Sequence, residues 1–352
     1  MRRGRSSEVE RQLPKLNVGG SIPPGRSKLP WLLILLLALG LAAPAVAQPA
    51  AAPDRIVLPI VDFVFGAPVI EVRLNGGQTH RFKFDSGSME LIDGQQAALE
   101  GIKATGVTRL LEINKTETMP VSDTDIRVGD LDLGPVSLAL MPPSGWNHPA
   151  RIDGMIGKSL LLRYVVTMDV AARQLILTRP DAYEPPDGAT ILPLAEYHGL
   201  FHVPATLDGH RGEFGLDTGL TSHVLVFSAF EAANSLALQY GDNVIAADAS
   251  GTTGEKSRVR QAKGEALTLG EVMVASPQVM LLGDQAGVGG FDQIAGLIGM
   301  PVLSQFQVTF DAPHRRLILA PIAVSPAPPP PAVTAPPPPP PAPPASDEPP
   351  AR

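Results

Sequence analysis

Two aspartates, each followed by a hydroxyl residue and a glycine, are the residues of this chain whose types and spacing could do chemistry. Asp85 lies in the segment FKFDSGS and Asp217 in FGLDTGL, 132 residues further on. Each motif directly follows an apolar segment of strand length. One such tripeptide arises easily by chance, but two at equivalent places of a duplicated chain indicate a shared role.

If a pseudo-two-fold axis relates the motifs, the carboxyl groups of Asp85 and Asp217 meet at that axis. Two carboxylates at short range cannot both ionise, so one keeps its proton while the other remains a base. Such a pair can activate a water and hydrogen-bond a carbonyl oxygen, as general acid–base amide hydrolysis requires. Because a coupled pair titrates as a unit, the sequence does not assign the base. Gly87 and Gly219 permit the sharp turn after each aspartate.

The alternative is that the motif aspartates are turn residues, since aspartate and glycine both favour tight turns. Their matching positions in the two halves favour the catalytic interpretation. Asp169 and Asp311 also repeat, but each precedes a hairpin, with Arg173 and Arg315 nearby. We interpret these two as turn aspartates, with those arginines as candidate partners, and assign them no catalysis.

No second chemical centre is predicted. The chain has no cysteine, which excludes disulfides, a thiolate nucleophile and iron–sulfur sites. His198 and His202 are four residues apart at a glycine turn and not on a helix, so we predict no metal site. Neither Ser86 nor Ser88 lies in a Gly-x-Ser-x-Gly elbow, which argues against a serine nucleophile. No cofactor is predicted.

The elements that must position the aspartates come from an internal duplication. Residues 152–178 align without gaps on residues 294–320, and twelve of the 27 positions are identical. Leu58-Pro59 recurs as Leu192-Pro193 in the same order. Two similar halves in one chain therefore predict two similar lobes.

Strand-length β-branched segments dominate both halves, with turns such as Asn75-Gly76 and Asp208-Gly209 between them. Both residues of a two-residue hairpin turn need positive φ, which asparagine, aspartate and glycine tolerate. Helical periodicity is confined to short stretches such as 94–103 and 227–241. We predict an all-β fold with a few short helices.

Four segments follow from composition. We predict a signal peptide at 1–47, an N-terminal lobe at 48–184, a C-terminal lobe at 185–322 and a proline-rich disordered tail at 323–352. Sixteen of the 38 prolines lie between Pro321 and Pro350, a composition typical of a polyproline II spacer. The alternative is that the tail binds a proline-binding or envelope partner.

The first 47 residues are predicted to direct export. Basic residues precede the apolar run Trp31–Ala43, and Ala45–Ala47 fits a signal-peptidase site. We expect a periplasmic or extracellular protein, the alternative being an uncleaved membrane anchor. The net charge of −7 provides no basic excess, so nucleic acid is not an expected partner.

The two motifs resemble those of the pepsin-like and retropepsin-like aspartic proteases, and the resemblance spans roughly residues 55–320. A second shared element is an apolar pair before glycine, at Met155–Gly157 and Leu297–Gly299. The resemblance implies a bilobal acid protease fold of two pseudo-symmetric β-barrel lobes with the active site between them. It also implies that a strand carrying Ile156-Gly157 or Ile298-Gly299 packs behind each catalytic loop in a ψ-shaped substructure.

The resemblance assigns Asp85 and Asp217 as the catalytic pair. It implies that the hydroxyls of Ser86 and Thr218 make hydrogen bonds between the lobes. Ser88 matches a position whose hydroxyl often contacts the outer carboxylate oxygen. Leu220 occupies that position in the second motif and cannot donate a hydrogen bond, as in the viral enzymes.

The candidate flaps also depart from the pepsin pattern. We place the first at 111–121, around Asn114 and Lys115, where no tyrosine occurs. The second, around Gly251 and Thr252, is glycine-rich and more similar to the viral enzymes. The whole chain looks like a single-chain fusion of two retropepsin-like lobes.

The resemblance implies an aspartic-type endopeptidase acting on a peptide or protein. Since both lobes lie in one chain, a monomer is expected. The alternative is a non-catalytic peptide-binding or envelope scaffold protein that kept the fold, and a third reading is an enzyme of very narrow specificity.

Overall fold

A computed structural model describes residues 53–322 except 114, 143–151, 253–255 and 284–285. The signal peptide and tail predictions, and Asn114 of the first candidate flap, lie outside the described residues. Strands dominate the described part, and no helix there is long and apolar enough to span a membrane.

The first half contributes eleven described strands. They are β1 (Arg55–Pro59), β2 (Asp62–Val64), β3 (Ala67–Leu74), β4 (Thr79–Phe84), β5 (Leu91–Ile92), β6 (Gly106–Leu111), β7 (Thr116–Val128), β8 (Leu131–Leu140), β9 (Gly154–Ile156), β10 (Val165–Asp169) and β11 (Gln174–Thr178).

The second half contributes thirteen described strands. They are β12 (Thr190–Pro193), β13 (Ala195–Tyr197), β14 (Leu200–Leu207), β15 (His210–Asp217), β16 (Val224–Val226), β17 (Ile245–Ser250), β18 (Lys256–Lys263), β19 (Ala266–Leu269), β20 (Val272–Ala275), β21 (Gln278–Leu282), β22 (Gly296–Gly299), β23 (Phe306–Asp311) and β24 (Arg316–Pro321).

The described helices are short. They are α1 (Gly94–Leu99), α2 (Lys158–Leu161), α3 (Ser228–Asn234), α4 (Leu236–Tyr240) and α5 (Met300–Leu303), with single 3₁₀ turns at Pro180–Ala182, Gly241–Asn243 and Gly287–Gly290. Asp93 caps α1 by accepting from the N–H groups of Gln95 and Gln96. The helical stretch predicted at 227–241 is two helices, because Ser235 adopts a left-handed conformation with φ 52°.

A six-stranded sheet joins the lobes in the order β1-β11-β10-β23-β24-β12. Its two central strands pair with each other, and Thr167 lies opposite Thr309 with the hydroxyl oxygens 2.8 Å apart. These two threonines are equivalent positions of the repeat, 142 residues apart. A pairing of equivalent residues means that a pseudo-two-fold axis passes between them.

The rest of this sheet obeys the same repeat. Asp169 pairs with Gln174 in the first lobe, and Asp311 pairs with Arg316 in the second, at the same offset of 142. The arginine paired with buried Asp311 is therefore Arg316, at 2.6 Å, and not the expected Arg315. Arg315 lies in the turn between the two strands, with φ 57°.

Each lobe has its own sheet behind its catalytic motif. The first has eight strands in the order β2-β3-β4-β9-β5-β8-β7-β6, and the second has ten, built around β16-β22-β15-β14. One hydrophobic core runs through both lobes, with Phe84 and Phe310 in edge-to-face contact across the junction. The all-β, bilobal prediction is confirmed.

Candidate active site

A ψ-shaped strand arrangement positions Asp85 at the end of β4. This strand runs parallel to β9, which runs antiparallel to β5. The N–H of Asp85 donates to the carbonyl of Ile156 at 2.9 Å. A Cβ on Gly157 would lie 1.9 Å from the carbonyl oxygen of Asp85, so only glycine lets the two backbones approach this closely.

The second lobe repeats the arrangement around Asp217. Strand β15 runs parallel to β22, with Asp217 opposite Gly299, and β22 runs antiparallel to β16. A Cβ on Gly299 would lie 2.2 Å from the carbonyl oxygen of Ser222. Both apolar-apolar-glycine segments therefore lie on the strand that supports a catalytic loop.

Four reciprocal hydrogen bonds lock the loops together across the lobes. The hydroxyl of Ser86 donates to the carbonyl of Leu216 at 2.9 Å and accepts from the N–H of Thr218 at 3.1 Å. The hydroxyl of Thr218 donates to the carbonyl of Phe84 at 2.9 Å and accepts from the N–H of Ser86 at 2.9 Å. Both hydroxyl residues are buried, so each bond satisfies groups that water cannot reach.

The two carboxylates face each other's loops. Oδ1 of Asp85 accepts from the N–H of Gly87 at 3.0 Å, and Oδ1 of Asp217 accepts from the N–H of Gly219 at 2.8 Å. A Cβ on Gly87 would lie 2.7 Å from Cγ of Asp217, and one on Gly219 would lie 2.1 Å from Oδ2 of Asp85. The glycines leave the space that each opposing carboxylate occupies.

The electrostatics of the pair are unequal. Burial raises the pKa of the Asp217 carboxyl to about 7, with a further contribution from the negative charge of Asp85. The ammonium of Lys83 and the N–H groups of Gly219 and Leu220 act in the opposite direction. Asp217 therefore holds a proton under conditions in which an ordinary aspartate is ionised.

Lys83 is a charged residue of the candidate site that the motif reasoning missed. Its Nζ lies 3.0 Å from Oδ2 of Asp85, and both side chains are largely buried. A sequence signal did exist, because residues two apart on extended backbone point to the same side.

Ser88 and Leu220 do not support the carboxylates with hydroxyls. The hydroxyl of Ser88 donates to the carbonyl of Met89 at 3.0 Å, which differs from the expected contact with a carboxylate. Leu220 packs against an apolar cluster of the second lobe that includes Leu297. The outer oxygen of Asp85 is instead paired with Lys83.

The candidate flaps are two hairpin ends that meet. The end of β6–β7 carries Glu112 and Lys115, and the end of β17–β18 carries Gly251 and Thr252. Oε2 of Glu112 accepts from the N–H of Thr252 at 2.9 Å. The carbonyl of Ile113 accepts from the second lobe as well, from the N–H of Gly289 at 3.1 Å. The hydrogen bond between Glu112 and Thr252 could not be predicted from the sequence, because it depends on how the two lobes approach each other.

Methionines line the first lobe beside its catalytic loop. Met119, Met141 and Met155 form a small buried cluster, and Met89, directly after the loop, packs against it. An adjoining groove is lined by Met119, Leu140 and Met141 together with the polar residues Glu117 and Thr118, and methionine side chains adapt to varied partners. The described residues hold no group of three or more histidine or acidic side chains arranged for a metal ion.

Two comparisons with known proteins found a match. The family described as "Aspartyl protease" matches residues 203–302, which include Asp217 and Gly299. A crystal structure of an aspartic proteinase from Irpex lacteus aligns with 76% of this chain and 98% of its own, at 12% identity and a TM-score of 0.48. No curated protein sequence matches.

The family match covers most of the second lobe, and the first lobe repeats its strand pairings and its catalytic loop. The family match supports the resemblance stated from the motifs, and the strands of the two lobes form the expected all-β, bilobal architecture.

Proposed function

We propose that the protein is an aspartic-type endopeptidase in which Asp85 and Asp217 share one proton and activate a water against a peptide bond. The observation that carries this proposal is the approach of the two carboxyls across the lobes, since a Cβ on Gly87 would lie 2.7 Å from Cγ of Asp217 and one on Gly219 would lie 2.1 Å from Oδ2 of Asp85. The pKa of Asp217, raised to about 7, agrees with a carboxyl coupled to Asp85. Such coupling requires carboxyls at short range, and it keeps one proton on the pair at acid and near-neutral pH.

The substrate is a peptide or protein bound in extended form between the lobes. The joined hairpin ends at Glu112 and Thr252 support this arrangement, since they would cover a chain lying along the cleft. Entry then requires these ends to separate, and closure shields the reaction from water.

The test is hydrolysis of casein and of a mixed set of quenched fluorogenic peptides between pH 3 and 8. We expect Asp85→Asn and Asp217→Asn each to lower kcat/KM by on the order of 10³-fold, the range for loss of general acid–base catalysis. Asp169→Asn is the matched control, because Asp169 also repeats but bonds to Ala172 and Gln307 away from the pair. Activity that survives both substitutions would reject the mechanism.

A non-catalytic peptide-binding or envelope scaffold protein is the second candidate. It is favoured by Leu220, which gives Asp217 no hydroxyl support, and by Lys83, which neutralises Asp85. Such a protein would bind labelled peptides equally well with and without the Asp217→Asn substitution and would cleave none. A very selective enzyme would instead bind a statine-type transition-state mimic and lose that binding in the variant.

We also propose, on the sequence alone, that residues 1–47 direct export and that residues 323–352 form a spacer. N-terminal sequencing of the protein from a secreting host tests the first part. A mature start at Gln48 supports cleavage, whereas full-length protein in the membrane fraction supports the anchored alternative. A pull-down with the tail peptide that captures a specific proline-binding protein would favour the partner reading over a spacer.

A further inference from the structure

Lys83 lies beside the proposed catalytic pair, and no step described above uses it. Its Nζ is 3.0 Å from Oδ2 of Asp85, and the two side chains are 12% and 6% exposed. Ion pairs with so little contact with water are weakly screened by salt and strongly affect neighbouring charges. They are also costly to bury, which makes a purely stabilising role a weak explanation.

The surroundings of Lys83 direct its charge toward the pair. Its neighbours on the adjacent strands are Val69 and Met155, which are both apolar and buried. The ammonium forms an ion pair with Asp85 and lowers the pKa of Asp217. A further buried carboxylate, Glu90, lies behind the Asp85 loop, where it accepts from the N–H groups of Gly157 and Ser159.

The equivalent position of the second lobe cannot hold such a group. It is Gly215, where a Cβ would lie 2.5 Å from Cδ2 of Leu200 and 2.7 Å from Cδ2 of Leu297. A side chain there would displace core residues of the second lobe. The ammonium is therefore present on one side of the pseudo-two-fold axis and absent from its equivalent position on the other.

We propose that Lys83 is a positioning residue that fixes which member of the pair is ionised. Its ammonium holds Asp85 as the carboxylate that acts as base and leaves the shared proton on Asp217, which acts as acid. This assignment rests on the proposed endopeptidase activity.

The steps balance under this assignment. A water gives a proton to Asp85 while its oxygen bonds to the carbonyl carbon, and the carbonyl oxygen takes the proton of Asp217. The neutral gem-diol then collapses: the C–N bond breaks, the nitrogen takes the proton from Asp85, and one hydroxyl returns a proton to Asp217. The pair ends in its starting state.

The first test is the pH profile of kcat/KM for the full chain. Lys83→Met keeps the length of the side chain and removes the positive charge that lies 3.0 Å from Oδ2 of Asp85. We expect the acid limb of the profile to move to higher pH by about one unit or more. Lys83→Arg keeps the charge and should restore most of the wild-type profile.

A matched control separates the effect of the charge beside Asp85 from the effect of changing the net charge of the protein. Lys263 is an exposed lysine of the second lobe, and Lys263→Met should leave the acid limb in place. An unmoved acid limb in Lys83→Met, or higher activity across the whole range, would show that the ammonium is not needed to keep the base ionised and would overturn the proposal.

A second measurement needs neither turnover nor a stable Lys83 variant. Carboxyl carbons of ¹³C-labelled aspartate are titrated by NMR in the wild-type chain, and the signals are assigned with Asp85→Asn and Asp217→Asn. The proposal requires that Asp85 ionises first, and ionisation of Asp217 first contradicts it. If no peptide is cleaved but Asp85 ionises first, the endopeptidase proposal fails while the charge assignment stands.

Discussion

The two aspartate loops have the same backbone hydrogen bonds and differ in what surrounds their carboxylates. Each aspartate accepts from the glycine two residues later, and each hydroxyl residue bonds to the opposite lobe. Around Asp85 the position two residues earlier is Lys83, whereas around Asp217 it is Gly215. The comparison teaches that a symmetric backbone can place two chemically identical groups in unlike electrostatic surroundings, since a cation lies beside one aspartate and glycine occupies the equivalent position beside the other.

The largest expected effect concerns the four hydrogen bonds that join the two loops across the lobes. Thr218→Val leaves the carbonyl of Phe84 and the N–H of Ser86 without their partner, and Ser86→Ala does the same to Leu216 and Thr218. We expect each change to lower the free energy of unfolding by about 2–4 kcal/mol, as measured in urea, since two buried groups lose a hydrogen bond.

The exposed Thr118 offers the matched control, and Thr118→Val should change the free energy of unfolding by less than about 0.5 kcal/mol. Equal losses for the two loop variants would show that the two pairs of hydrogen bonds between the lobes contribute equally to stability. A loss confined to one variant would show that they do not.

The next effect concerns the unequal surroundings of the two carboxyls and is measured as the pH dependence of stability. The pKa of Asp217 is raised from 3.8 to about 7 by burial and by Asp85. Between these values the folded chain holds a proton that the unfolded chain has lost, so this group makes the protein less stable as the pH rises from about 4 to 7.

Asp217→Asn removes that contribution. The variant should gain stability relative to wild type between pH 4 and 8, by on the order of 2 kcal/mol given the partial exposure of the residue. Thermal or urea unfolding at several pH values measures the difference, and Asp169→Asn serves as the reference. Parallel curves for wild type and Asp217→Asn would contradict the inequality of the two carboxyls.

The smallest expected effect concerns Ser88, the hydroxyl that distinguishes the first loop from the second. Because it donates to the carbonyl of Met89 and not to a carboxylate, Ser88→Ala should change kcat/KM by less than about threefold. Steady-state kinetics at the optimum pH measures this. A loss of tenfold or more, with normal folding, would mean that the hydroxyl turns to the pair when substrate binds.

The repeat made much of the fold and of the candidate site predictable from the sequence. An aligned repeat identifies equivalent residues, so the two motifs and the two glycine-ended strands could be assigned together. The turns at Asn75-Gly76 and Asp208-Gly209 have the positive φ values that their residues favour. These turns could be predicted from the sequence because a turn depends on the types of the two or three adjacent residues that form it.

What escaped prediction depends on register or on lobe closure. Arg316, and not Arg315, reaches Asp311 because it lies directly opposite in the strand pair, and sequence spacing alone does not reveal this. The bond between Glu112 and Thr252 joins residues 140 positions apart, at the ends of hairpins in two different lobes. Lys83 was accessible to reasoning from strand alternation, because it lies two residues before Asp85 on the same strand.

The pairing of Thr167 with Thr309 has a consequence for how asymmetry could arise. It is an isologous contact of the kind that holds two identical subunits together, here formed within one polypeptide. In a homodimer every substitution appears twice, and a lysine beside one aspartate would also stand beside its counterpart. Covalent tethering frees each half to change alone, so a cation can be placed against one carboxylate while glycine is kept against the other.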